Sequence, residues 1–182
     1  MNEKQVILGV DPGLATTGIG VLIKNKTLRH KGLGQELQAA NWQTIDTSPT
    51  MSLGCRLEKI YAEITNIINK IKPDLAAVEK LYFGKNAKTA MLVGQARGVI
   101  ILACQQKNLN IREYTPLEIK VATCGYGRAD KRQVQRMIKQ LLNLKEIPKP
   151  DDAADALAVA YTAAVAANSK LIVPCLPAGR KS

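Results

Sequence analysis

Residues 5–24 read QVILGVDPGLATTGIGVLIK. The run Gln5–Val10 is short and apolar and stops at Asp11-Pro12-Gly13, the punctuation of a buried strand that ends in a turn. Gly18–Lys24 is a second strand, joined to the first through the short Thr16-Thr17-Gly18 linkage in a hairpin. Working outward, a third strand is expected near Trp42–Thr47. From Ser52 to Lys72, Leu53, Leu57, Ile60, Ile64, Ile67, Ile68 and Ile71 recur at helical spacing, and Pro73 stops the helix. Leu75–Val78 is a short apolar run ending at Glu79, a strand candidate. Helical character resumes over 86–106, where Gly94, Ala96 and Gly98 give one small-residue face. Asn110–Tyr114 is a short strand, Pro116 opens a helix to about Thr123, and Gly125 and Gly127 make a loop. Lys131–Leu144 is a basic amphipathic helix, and a last helix starts at Asp151 or Asp152 and runs through ADALAVAYTAAVAA. A hairpin group followed by strands alternating with helices predicts an α/β domain, a mixed five-stranded sheet flanked by helices. Residues 1–167 are read as one domain and 168–182 as a basic, flexible tail.

The whole chain has 182 residues, with 46% hydrophobic and 23% charged side chains. That balance excludes disorder of the chain as a whole and suits one domain of ordinary size. Aromatic residues are only 4%, so the core must come from Ile, Leu, Val and a large stock of Ala, which implies close helix packing. Cys55, Cys104, Cys124 and Cys175 form no CxxC pair, and the single histidine, His30, leaves no Cys/His combination for zinc. No apolar stretch reaches the roughly 18 residues that span a bilayer. The expected setting is a reducing, cytoplasmic compartment, with no membrane partner.

Lys and Arg number 26 against 15 Asp and Glu, a formal net charge of +11. The excess is not spread evenly. Lys107 to Lys149 holds ten basic residues and four acidic ones, and no carboxylate falls between Glu79 and Glu113. A sign bias this long points to an anionic partner, nucleic acid before membrane surface.

Four carboxylates stand out against that background. Asp11 and Glu79 each follow a buried strand, the place where open α/β sheets set their ligands. Each also has a plain reading, a turn former before Pro-Gly and an exposed strand terminus. Asp152 and Asp155 stand three apart in the first turn of a helix and project from one face. The helix dipole alone would favour acids there, and Asp151 fits a simple N-cap. Yet a basic protein gains nothing for DNA binding by clustering carboxylates unless they hold metal. Mg²⁺ takes oxygen ligands and keeps several waters, and two such ions can activate a water and stabilise the departing alkoxide of a phosphodiester. Without metal, four charged carboxylates would repel the phosphate between them, so Asp11→Asn is expected to tighten metal-free nucleic-acid binding.

GVDPGLATTGIGV at 9–21, AVEKLYFGKNAKTAMLVGQARG at 77–98 and DDAADALAVA at 151–160 together closely resemble the RuvC family of Holliday junction resolvases. The resemblance runs from about residue 5 to 166 and rests on three separate motifs. It implies an RNase H-like fold and a homodimeric, Mg²⁺-dependent endonuclease, with two ions per site and Mn²⁺ able to substitute. Such an enzyme resolves four-way DNA junctions in recombination and repair by paired, symmetric incision, alongside branch-migration proteins. Carried across, the metal-binding carboxylates are Asp11, Glu79, Asp152 and Asp155, and Asp151 matches no ligand. The aromatic set against bases near the crossover is Tyr82, with Phe83 beside it and Lys80 and Lys85 flanking. Aromatic rings interleaved with cations suit stacking on an unpaired base. The basic residues close to the scissile strand fall on Lys120 and Lys131. Two departures are visible: Gly34–Thr50 is longer than the family pattern, and Tyr82 replaces the more usual Phe.

Symmetric cleavage fits a C₂ dimer, and the small-residue face of the 86–106 helix could form its interface or pack on its own sheet. Three other functions bear on the same residues. An ATP-binding phosphotransferase also has Asp-x-Gly after its first strand but needs two lobes. A non-catalytic junction-binding protein would not need the four carboxylates. An RNase H-like nuclease on structured RNA keeps all of them.

Overall fold

In the computed structural model, described here for residues 4–25, 37–81, 87–166 and 171–172, strand β1 (Lys4–Asp11) lies at the centre of the sheet. Its apolar side chains alternate between two cores: Leu8 and Val10 enter one, Ile7 the other. β2 (Thr16–Asn25) pairs antiparallel with β1, and β3 (Leu37–Asp46) pairs antiparallel with β2. On its other side β1 takes β4 (Leu75–Glu79) in parallel, and β4 takes β5 (Ile111–Tyr114) in parallel. The mixed five-stranded sheet expected from the sequence is therefore present, in the order β3-β2-β1-β4-β5. A two-residue strand, β6 (Leu171–Ile172), continues it antiparallel to β5, inside the stretch read as a tail.

The β1–β2 connection is residues 12–15, and Thr16 and Thr17 already belong to β2. The Thr17 hydroxyl donates to the Gly13 carbonyl at 2.6 Å, which locks the turn from inside the strand. That local bond is why the strand begins before the expected linkage ends.

α1 (Leu53–Ile71) and α2 (Ala87–Gln106) cover one face. Ser52 caps α1, and Ile60, Ile64 and Ile68 press its buried stripe onto Leu8, Val10 and Val78. Ala96, Ile100, Ala103 and Cys104 of α2 join the same core. Arg97 of α2 forms an ion pair with Glu113 of β5, tying helix to sheet. Among the small residues of α2, Ala96 is buried in its own core, whereas a β-carbon on Gly98 would touch nothing.

α3 (Pro116–Cys124), α4 (Lys131–Leu141) and α5 (Asp151–Val165) cover the other face. Thr115 and Glu118 form a capping box that starts α3, and Asp130 and Gln133 form another that starts α4. Asn143, at φ 50, has left-handed backbone, so α4 closes earlier than the predicted Leu144. Pro150 occupies the N-cap position of α5, and Asp151 is the first helical residue with no side-chain cap bond to make. The expectation that Asp151 caps this helix is therefore corrected: the extended backbone of Pro150 already fills the cap position.

α5 is the most enclosed helix, with buried residues on nearly every side and ten of its fifteen positions Ala, Leu or Val. The alanines let it approach the sheet, and the sheet reciprocates with glycines. A β-carbon on Gly9 would lie 2.2 Å from the Ala156 carbonyl oxygen, and one on Gly20 would lie 2.6 Å from the Leu157 nitrogen. Gly9 and Gly20 are cross-strand partners, so β1 and β2 present one smooth floor to the helix.

Candidate active site

The floor just described sets the geometry of the acidic site. Asp11 ends β1 directly opposite Gly18 of β2, and Gly18 lies against the Asp152 backbone of α5. The close approach delivers the first turn of α5 to the end of β1. Carboxylate oxygens of Asp11, Asp152 and Asp155 consequently lie within 4.8 Å of one another. Glu79 ends β4, the parallel neighbour of β1, and shares a hydrogen bond with Asp11. Four residues from two strand ends and one helix face are thus brought together.

Two clefts meet at Glu79. One is lined by Glu79, Lys120, Lys131 and Asp155 with Pro116, Ile119 and Val134. The other holds Asp11, Pro12, Glu79, Lys80 and Leu81. The capping box of α4 places Lys131 as its first helical residue, and its ammonium sits 2.9 Å from Oδ2 of Asp155. Lys120, on α3, reaches the same cleft from the other wall. Tyr82, Phe83 and Lys85 lie outside the described residues.

Electrostatics in the site follow from packing acids together away from water. Burial pushes Asp11 up to about 9, and the charges of Glu79, Asp155 and Asp152 add to the rise. Glu79 is also raised by burial, although the hydrogen bond from Asp11 and the charges of Lys120 and Lys131 pull the other way. Asp155 is raised by burial against the opposing pull of Lys131. For Lys131, burial alone would lower the pKa, but its bond to Asp155 and the neighbouring acids raise it. Near neutral pH without metal, Asp11 therefore holds a proton and donates it to Glu79. A proton on Asp11 lowers the negative charge that the cluster presents to a phosphate.

Oxygen donors alone, densely packed and self-repelling, suit a hard divalent cation, whose charge removes the penalty that raises Asp11. The family model described as crossover junction endodeoxyribonuclease RuvC matches residues 7–163, which include all four carboxylates. The chain belongs to the RuvC family. A RuvC of Caldicellulosiruptor saccharolyticus is 50% identical over 165 residues, covering 91% of this chain and 95% of that one. The solved structure of Thermus thermophilus RuvC superposes with a TM-score of 0.76 at 32% identity, covering 87% of this chain and 92% of that one. That of T. thermophilus RuvC in complex with a Holliday junction substrate superposes at 0.75 with 28% identity and the same coverage. The five-stranded sheet and flanking helices are thus the RuvC form of the RNase H-like fold.

Sequence reasoning overlooked the glycines that make this site possible. The available signal was three glycines inside two strands otherwise rich in Val, Ile and Leu, a pattern that marks close approach of another backbone. It also missed the Arg97–Glu113 pair, which joins residues without any shared motif. No described helix is long and apolar enough to cross a membrane.

Proposed function

We propose that this protein is a homodimeric, Mg²⁺-dependent endonuclease that resolves four-way DNA junctions in recombination and repair by symmetric incision of two strands. The observation that carries the reading is the convergence of Asp11, Asp152 and Asp155, with Glu79 bonded to Asp11, beside two lysines in an open cleft. Asp11, Glu79, Asp152 and Asp155 would hold the metal, two ions per site, with Mn²⁺ able to substitute. Bound there, the metal supplies an activated water and stabilises the departing alkoxide. Lys120 and Lys131 stand where they can balance charge on the phosphate, and Asp11 must release its proton before it can ligate. Tyr82 and Phe83 are assigned to stacking on unpaired bases at the crossover, and Lys85 to the backbone beside them.

A dimer is supported by α2. Met91, Gln95, Gly98 and Leu102 recur every third or fourth residue, all exposed, with Met91 66% and Leu102 50% accessible. An exposed stripe with Met91 and Leu102 at its two ends suits a second copy. Residues 1–167 are assigned to the nuclease domain, and 168–182 to its basic extension. Action in the cytoplasm alongside branch-migration proteins completes the reading.

The test compares cleavage of a four-way DNA junction, linear duplex DNA and structured RNA by the purified protein with Mg²⁺. Paired nicks in the junction alone support the proposal. Preferential cutting of RNA would make it a structured-RNA nuclease, and tight junction binding without cutting would make it a binding protein.

A further inference from the structure

Lys131 occupies a position that a metal-binding site would need empty. Its ammonium lies 2.9 Å from Oδ2 of Asp155, the carboxylate that shares a 4.8 Å cluster with Asp11 and Asp152. An ammonium and a divalent cation on one carboxylate repel each other strongly at such separations. Either the lysine leaves or the ion stays out. The backbone of Lys131 is fixed, because the Asp130–Gln133 capping box and the buried Val134 and Ile138 hold α4 in place. Its side chain is not fixed: half of it is exposed, on a four-carbon stem, whereas Asp155 is only 22% exposed. The mobile partner of the pair is therefore the lysine. The cleft that Lys131 lines with Glu79, Lys120 and Asp155 is open to a phosphodiester, which would offer the ammonium another anion.

We propose that Lys131 is an internal counter-ion that keeps Asp155 closed to a divalent cation until a phosphate in the cleft draws its ammonium away. Metal loading is then coupled to substrate: the free protein binds metal weakly, and the phosphate that is to be cut opens the site. This rests on the reading of the acidic cluster as a metal site, and deepens it by giving one residue control over occupancy.

The test is direct titration of Mn²⁺ into free protein, followed by the electron paramagnetic resonance signal of the unbound ion. Lys131→Gln should bind Mn²⁺ about fivefold more tightly than the native protein, the magnitude of a partly exposed ion pair. Lys120→Gln removes the same charge from the other wall without touching Asp155, so it should produce a smaller gain. Lys131→Arg keeps a cation on Asp155 and should bind as the native protein does. In EDTA, where no strand is cut, adding a four-way junction should shift the Lys131 side-chain nitrogen resonance, assigned by its loss in Lys131→Arg. Equal gains in the two glutamine variants, or a Lys131 resonance indifferent to the junction, would overturn the proposal. If Asp155→Asn bound Mn²⁺ as well as the native protein, the metal site itself would be misplaced.

Discussion

Gly18 and Asp152 meet where no side chain fits: a β-carbon on Gly18 would lie 2.0 Å from the Asp152 carbonyl oxygen. Because Gly18 is the ladder partner of Asp11, that absence of a side chain sets how near the α5 carboxylates come to the β1 carboxylate. One hydrogen atom in place of a methyl group is thus a determinant of site geometry.

Gly18→Ala should push α5 from the sheet, cost about 2–4 kcal/mol of stability and abolish cleavage even in the fraction that folds. Gly54→Ala, where a β-carbon would meet nothing, should leave stability unchanged or raised by about 0.4–1 kcal/mol. Urea denaturation of both variants, with junction cleavage assayed beside it, checks the pair. Equal effects would mean that α5 is not held by the Gly18 contact.

Asp152→Asn and Glu79→Gln should each lower junction cleavage by on the order of 10³-fold, the loss of several kcal/mol of transition-state stabilisation. Neither touches the basic surface, so junction binding should persist. A variant that still cuts near the native rate would remove its residue from the reacting set.

The proton on Asp11 makes metal binding pH-dependent. A cation needs the carboxylate ionised, so below about pH 9 its binding must expel that proton. Mn²⁺ affinity should rise from pH 6 to 9 and level off above. Calorimetry at pH 7 in two buffers of different ionisation enthalpy should show about one proton released per site, and Asp11→Asn should abolish that release.

Stability of the metal-free protein should move the opposite way. An acid whose folded pKa is raised favours folding at low pH, and that contribution drains away between about pH 4 and pH 9. Asp11→Asn lacks this loss, so in EDTA at pH 8 it should melt higher than the native protein, by an equivalent of about 1–3 kcal/mol. The two proteins should converge near pH 4. Coincident melting at pH 8 would show that Asp11 is not held protonated.

The same proton redirects the electrostatics of DNA binding. With Asp11 already neutral at pH 7, Asp11→Asn should leave metal-free junction affinity nearly unchanged, whereas Asp152→Asn should raise it at low salt. All variants should lose affinity steeply as salt increases, because counterions released from the phosphates supply the attraction. Dissociation constants in EDTA across a salt series decide the matter; a gain for Asp11→Asn as large as for Asp152→Asn would contradict it.

Much of this site was legible because its residues sit at boundaries. Asp11 and Glu79 were visible as acids ending apolar runs, and the Asp152–Asp155 spacing placed both on one helix face. The α1 stripe of Ile60, Ile64 and Ile68 was equally plain, since a single periodicity specifies it. What escaped depended on contacts between distant segments. Gly18 has meaning only against the Asp152 backbone, and the charge of Asp11 depends on burial by neighbours from other elements. Asp151 was misassigned because cap preferences describe a residue type, whereas the extended backbone of Pro150 decided which residue took the cap.

The division of the acidic cluster between β1 and α5 also has a consequence in time. Asp11 leaves the ribosome ahead of Asp152 and Asp155, which leave only after five strands and four helices have been made. A half-synthesised chain can form the hairpin, yet it holds neither the complete set of carboxylates nor the basic stretch from Lys107 to Lys149. The acidic cluster is therefore complete only once the alanine face of α5 seats on the glycine floor.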